Sequence, residues 1–208
     1  DLPGHGLSDG APLTSIGDMA DWIDSLLENL GVAQATLVGH SQGVLVALET
    51  ASRHPERVAA LTLIAGAMAI PVNDALIDMS QSAPEKAFRM MTSWGHGPGA
   101  HKFDNTQPGH AFLGYGRQVV AQNDGAALHA DLVACNSYDG GKDAAASVTQ
   151  PSLCLLAGKD KMTPVKFGRK MAEQISGAQC HVFERAGHFL PAEFPIEVND
   201  AMAAFLSR

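Results

Sequence analysis

Apolar residues recur every three or four positions over residues 13–30, LTSIGDMADWIDSLLENL, at Ile16, Met19, Trp22, Ile23, Leu26, Leu27 and Leu30. That spacing gathers them on one face of a helix and predicts an amphipathic element. Thr14 or Ser15 can cap it through a hydroxyl that accepts an orphan N–H of the first turn, and Gly31 is a natural stop. The pattern then changes. ATLVGHS is a short apolar run that predicts a buried strand, GVLVALETASRHP is helical up to Pro55, and VAALTLIAG, residues 58–66, predicts a second buried strand.

The same alternation returns near the C-terminus. SLCLLAG predicts a strand ending at Gly158, VKFGRKMAEQI a helix before Gly177, QCHVFE a short strand, and IEVNDAMAAFL a closing helix. Short apolar strands alternating with helices predict an α/β fold, a mostly parallel sheet covered by helices on both faces. Between the two series the strand signal stops. Helical pieces such as APEKAFRMMTSW alternate with turns such as GHGPGAHKF. Three segments follow: a first core part over 1–66, a helical insert over 67–149, and a second core part over 150–208.

Composition narrows the function classes. With 208 residues and 46% hydrophobic residues, the chain can bury a sizeable core. A formal net charge of -8 without any Lys/Arg run disfavours a nucleic-acid surface. No apolar run reaches the roughly 20 residues that span a bilayer, so no membrane partner is expected. Cys135, Cys154 and Cys180 match no metal-ligand spacing, and an odd, sparse set points to a reducing, cytoplasmic setting. The pattern does not decide self-association, because an apolar helix stripe can face a core or a second copy.

The sharpest chemical signal is VGHSQG. Gly39, Ser41 and Gly43 form G-x-S-x-G between a predicted strand and a predicted helix, with His40 and Gln42 inside the turn. In that context the pattern is a nucleophile elbow: a tight turn that projects a serine hydroxyl at the sheet edge. The backbone N–H of Gln42, at the helix start, can then stabilise a developing oxyanion. A serine needs a base to become a nucleophile. His188, in ERAGHFLPAEFP, follows the last predicted strand and can hang over the same edge. Asp160 follows SLCLLAGK and can hold an imidazole in the required tautomer, although an aspartate there also suits a turn or helix cap. The order Ser41, Asp160, His188 adds to the specificity of each position. His40 is expected to pack or orient, and His54 to be a cap or surface residue. His96, His101 and His110 are too widely spaced for a zinc site, so no metal is expected.

DLPGHGLSD, VGHSQG, LLAGKDKMTP and AGHFLPAEFP together resemble the alpha/beta-hydrolase superfamily, over nearly the whole chain. The resemblance implies Ser41 as nucleophile, Asp160 as the acid, His188 as the base and Gln42 N–H as one oxyanion donor. It implies that Gly66 to Thr149 is a helical cap. It also implies that the turn from Pro3 to Gly6 follows a strand, so that the first strands and a loop with the second oxyanion donor precede Asp1.

The implied reaction is a two-step acyl transfer on a small-molecule ester or related acyl substrate, with no cofactor. Serine at position 41 argues against relatives that use a carboxylate there. Small to medium, partly apolar esters are the expected substrates. Lactonase, carbon–carbon hydrolase, aminopeptidase and acyltransferase chemistry, or a non-catalytic ligand-binding module, are the alternatives. Met68, Met79, Met90, Met91, Phe88, Trp94, Phe103 and Phe112 either line an apolar pocket or form the cap's own core.

Overall fold

The computed structural model describes residues 1–103, 113, 114, 116, 118, 122, 123 and 125–207. In chain order the elements are α1 (Ile16–Asn29), β1 (Ala35–His40), α2 (Gln42–Arg53), β2 (Val58–Ile64), α3 (Asp74–Ser82), α4 (Pro84–Gly95) and α5 (Pro98–Phe103). They continue with α6 (Gly125–Ser137), α7 (Gly141–Ser147), β3 (Ser152–Ala157), α8 (Val165–Gln174), β4 (Gln179–Phe183), α9 (Leu190–Glu193) and α10 (Pro195–Leu206).

The four strands are parallel and lie in the order β1-β2-β3-β4. Their register aligns His40 with Ile64, Ile64 with Leu155, and Ala157 with Phe183. All four C-terminal ends therefore open at one edge, which is where ligand sites form in open α/β sheets. Side chains alternate between two apolar faces, as strands buried on both sides require. Leu61, Leu63, Cys154 and Leu156 join Val44 and Leu48 of α2, Met171 of α8 and Ile175 just beyond α8 on one face. Ala60, Ile64, Leu153 and Leu155 join Leu190, Val198 and Phe205 of α9 and α10 on the other.

The helix ends follow local chemistry. Ser15 caps α1, its Oγ accepting the Asp18 N–H at 3.0 Å, and Gly31 just beyond the helix takes φ +67°. The α1 face carrying Ile16 and Met19 packs with Leu45 and Val46 of α2.

The insert divides into two kinds of structure. Helices α3, α4 and α6 share their own apolar cluster of Leu76, Ala87, Phe88, Leu128 and Leu132, with Met79 and Met91 against it. Helix α7 behaves differently. Its Ala144 and Ala145, with Val148 beyond it, are buried among the α2 and β2 residues of the main core. A Cβ on Gly141 would overlap the Met68 carbonyl oxygen, so close approach here requires glycine. Residues 141–148, read from sequence as part of the insert, thus pack into the sheet's own layer.

Candidate active site

The turn at Ser41 is shaped by the backbone on both sides. Ser41 has φ +55° and ψ -118°, a conformation costly for a residue with a side chain. Its N–H donates to Ile64 O at 3.0 Å and its carbonyl accepts from Val44 N at 2.9 Å, so the neighbouring strand and the first turn of α2 hold it. Gly39 is sterically required, because a Cβ there would lie 2.2 Å from Gly43 O. Gly43 is different: a Cβ there meets nothing within 4 Å among the described residues.

Asp160 and His188 leave neighbouring strand ends and meet. His188 Nδ1 lies 2.8 Å from Asp160 Oδ2, and both side chains are almost fully buried. An ionised carboxylate only accepts, so Nδ1 carries the proton and Nε2 is the nitrogen left to act. Asp160 Oδ1 takes the N–H groups of Met162 and Thr163, each at 2.8 Å. The two roles considered for Asp160, turn former and imidazole partner, are divided between its two oxygens. Burial raises its carboxyl, but the bond and charge of His188 and the bonds from Thr163 outweigh this and hold it below its ordinary value.

His40 ties the histidine loop to the elbow. Its Nε2 lies 2.7 Å from His188 O, and the two imidazole rings stand 4.8 Å apart. Loss of solvation, then the adjacent His188, push His40 down to about 4, so it is neutral and its Nε2–H donates. His188 is thereby seated beside the residue that precedes Ser41.

Ser41 and Gln42 line a cavity of about 260 Å³. Its walls are largely apolar, from Ile70, Leu76, Met91, Trp94, Leu128 and Leu132, with Asp131 and Lys161 as the charged groups. The residues left open between pocket and cap core are therefore split. Met91 and Trp94 reach the cavity, Phe88 and Met79 belong to the cap cluster, and Met68 packs under the sheet. Phe112, His110 and the Phe103 side chain lie outside the described residues. The Gln42 side chain donates to Asp131 O at 3.0 Å, tying the elbow to α6.

Three residues that the sequence did not single out complete the surroundings. Buried Thr163 places Oγ1 2.7 Å from Ala65 O, 2.7 Å from Asp160 Oδ2 and 3.3 Å from His188 Nδ1. Ala65 itself has φ +46°, which turns its carbonyl toward that hydroxyl. Glu193 binds the N–H of Gly187, next to His188. Asp131 receives His5 Nε2 at 3.0 Å.

A second serine–histidine contact lies elsewhere. Ser80 Oγ is 3.0 Å from His129 Nδ1, but it also donates its proton to Ile77 O at 2.6 Å. With that proton committed, His129 Nδ1 must be the donor, and an imidazole that donates to a hydroxyl cannot activate it as a base. The pair joins α3 to α6 and lines no part of the cavity beside Ser41.

Among the described residues the one grouping able to offer three metal ligands is Asp24, His54 and Glu56, far from this edge, with Asp24 engaged by Arg57 at 2.7 Å. No helix among them is long and apolar enough to cross a membrane. Burial pushes the Cys135 and Cys154 thiols up to about 12, which makes them poor nucleophiles.

The chain is similar in sequence and fold to known proteins. The chain is 30% identical, over 100% of its length, to the dihydrolipoyllysine-residue acetyltransferase component of the acetoin cleaving system of Pseudomonas putida, and spans 55% of that protein. It is 28% identical over 90% of its length to the pimeloyl-(acyl-carrier protein) methyl ester esterase of Neisseria meningitidis, of which it spans 73%. The enol-lactonase of Burkholderia xenovorans LB400 superposes with a TM-score of 0.90 at 21% identity, covering 100% of this chain and 79% of that one, which establishes a shared fold. The Alpha/beta hydrolase family matches residues 1–201, and the chain belongs to that family.

Proposed function

We propose that the chain is a serine hydrolase that cleaves carboxylic esters of small to medium, partly apolar substrates. Ser41 is the nucleophile, His188 the base, Asp160 the group that orients it, and Gln42 N–H an oxyanion donor. The observation that carries this reading is the 2.8 Å contact between His188 Nδ1 and Asp160 Oδ2, docked through His40 onto a strained Ser41 at a cavity wall.

The chemistry follows from the proton positions. His188 Nε2 takes the Ser41 proton as Oγ attacks the ester carbonyl. The tetrahedral oxyanion lies toward Gln42 N–H at the start of α2, where the helix dipole favours negative charge. His188 then protonates the departing alcohol, and the acyl group stays on Ser41. Water, deprotonated by the same nitrogen, attacks that acyl group and releases the acid, which restores the serine. Asp160 stabilises the imidazolium charge that appears on His188 twice in the cycle.

The apolar walls favour acyl or alcohol parts with aliphatic surface, while about 260 Å³ limits their size. The similarity to the methyl ester esterase of Neisseria meningitidis supports ester cleavage. Three cysteines without a disulfide support a reducing compartment, the cytoplasm.

The test is a fluorophosphonate probe followed by mass spectrometry, with Ser41→Ala beside the native chain. One adduct per chain on Ser41, absent from the variant, together with turnover of 4-nitrophenyl esters that falls as the acyl chain lengthens, is the expected result. A folded protein that is unlabelled, or labelled on Ser80, overturns the assignment.

A further inference from the structure

Glu193 is a buried carboxylate that the scheme above does not use. It lies at the end of α9, and both of its oxygens face two backbone N–H groups from distant parts of the chain. Gly97 N is 3.1 Å from Oε1 and 3.0 Å from Oε2, and Gly187 N is 3.1 Å and 3.2 Å from the same pair. The two donors belong to segments that touch backbone to backbone. A Cβ on Gly187 would lie 2.2 Å from Gly97 N, and a Cβ on Gly97 would lie 2.6 Å from Glu193 Oε2. Phe189 N donates to Gly95 O at 3.2 Å in the same seam, and the Phe189 ring stacks near His96 at 4.7 Å.

Each segment leads directly to the active site. Gly187 precedes His188. Gly97 follows α4, whose Met91 and Trp94 line the cavity. Glu193 itself lines no part of that cavity. Keeping a carboxylate in such a place is costly: burial raises its carboxyl, and the Gly187 and Gly97 N–H groups only partly offset this. A neutral side chain would remove the charge but could not receive two donors on two oxygens.

We propose that Glu193 is a positioning residue for the hydrolytic reaction. Its carboxylate joins the Gly187 and Gly97 N–H groups and thereby fixes His188 against the Ser41 turn while anchoring the end of the cap helix α4. This rests on the reading of Ser41, His188 and Asp160 given above. The carboxylate touches neither substrate nor reacting atoms, so its effect falls on the orientation of His188 rather than on binding.

The experiment compares the native chain with Glu193→Ala and Glu193→Gln. Ester turnover is divided by the number of sites that take up the fluorophosphonate, which removes any loss of folded protein. Circular dichroism confirms the fold of each variant. In Glu193→Ala, kcat per labelled site is expected to fall about 10- to 100-fold, the scale on which small remote misplacements act, with KM nearly unchanged. Glu193→Gln keeps one oxygen that can reach both N–H groups but turns its NH2 toward donors, so it should recover part of the lost kcat. If Glu193→Ala fails to fold, a fall in kcat with KM held in Glu193→Gln carries the inference alone. Folded variants that match the native kcat per labelled site overturn it. A native chain that does not label on Ser41 overturns instead the reading on which it rests.

Discussion

Asp160 serves His188 with one oxygen and its own turn with the other: Oδ2 lies 2.8 Å from His188 Nδ1, and Oδ1 accepts from Met162 N and Thr163 N. The imidazole partner is thus clamped before His188 arrives, and its position is set by two backbone bonds. Asp160→Asn keeps the shape but presents an amide that donates to Nδ1, which reverses the tautomer and removes the lone pair from Nε2. Ester kcat is expected to fall about 10⁴-fold, with fluorophosphonate labelling of Ser41 slowed alongside it. Steady-state kinetics and labelling rates check this, and a loss below tenfold would count against the role of Asp160.

The same contact predicts an acid transition. Asp160 is held below its ordinary carboxyl value, so its contribution to stability is present above that value and is lost as pH falls through the lower, folded one. Glu193 and Asp131 act in the opposite sense, since burial raises both: their contributions are present below their ordinary values and lost as pH rises through the raised ones. The difference between native and Asp160→Asn isolates the first term. Urea denaturation at a series of pH values should show the native chain losing stability relative to the variant below about pH 4, in the window the shift implies. Parallel curves in that range would mean that the His188 contact does not bias Asp160.

The two glycines that flank Ser41 are predicted to differ. A Cβ at position 39 would strike Gly43 O, which belongs to the first turn of α2 and cannot move without opening the elbow. Gly39→Ala is expected to cost about 1–3 kcal/mol or more and to abolish labelling of Ser41. Gly43→Ala has open space among the described residues and sits in a helix, where alanine is favoured by about 0.5–1 kcal/mol. Melting temperatures of the two variants should move in opposite directions. Equal losses would mean that the motif constrains both positions alike.

What the sequence made legible depends on how local the cause is. The strands showed because each carries its apolar residues in one short run. Ser41, Asp160 and His188 stand out as candidates in the sequence because each follows such a run with a small residue or turn beside it. The residues that support them are held by contacts between distant positions: Thr163 with Ala65 across 98 residues, Glu193 with Gly97 across 96, and His5 with Asp131 across 126. No local pattern encodes these pairings. Asp160 and Thr163, three apart, did carry a signal, the spacing of a side chain that caps its own turn. The contacts of helix α7 with the main core are not legible in sequence, because GKDAAAS is too short and too uniform in alanine to show a buried face.

Thr163 gives a fourth prediction. Its hydroxyl is buried between Ala65 O and Asp160 Oδ2, so removing it leaves a buried acceptor short of a donor. Thr163→Val fills the same space. It is expected to lower stability by about 1–3 kcal/mol and kcat by several-fold, since Asp160 loses one of the bonds that fix it. Chemical denaturation and ester kinetics measure the two effects. A stability loss with unchanged kcat would confine Thr163 to the fold.

The turn around His5 and the cap are joined by a histidine–aspartate contact. His5 Nδ1 lies 3.1 Å from Pro3 O, and His5 Nε2 lies 3.0 Å from Asp131 Oδ2. An ionised carboxylate only accepts, so His5 Nε2 donates to Asp131 Oδ2. Burial raises the Asp131 carboxyl, and the His5 bond partly opposes this. Asp131 Oδ1 has no hydrogen bond among the described residues, so the tie to His5 runs through Oδ2. Because Asp131 also lines the cavity and its carbonyl receives Gln42, loosening this contact should shift the cap wall against the elbow. A double-mutant cycle with His5→Ala and Asp131→Ala is expected to give a coupling energy of about 0.5–3 kcal/mol, and both single variants should change the preference among esters of different acyl length in the same direction. Additive stability effects and an unchanged preference would show that the turn and the cap hold their places independently of each other.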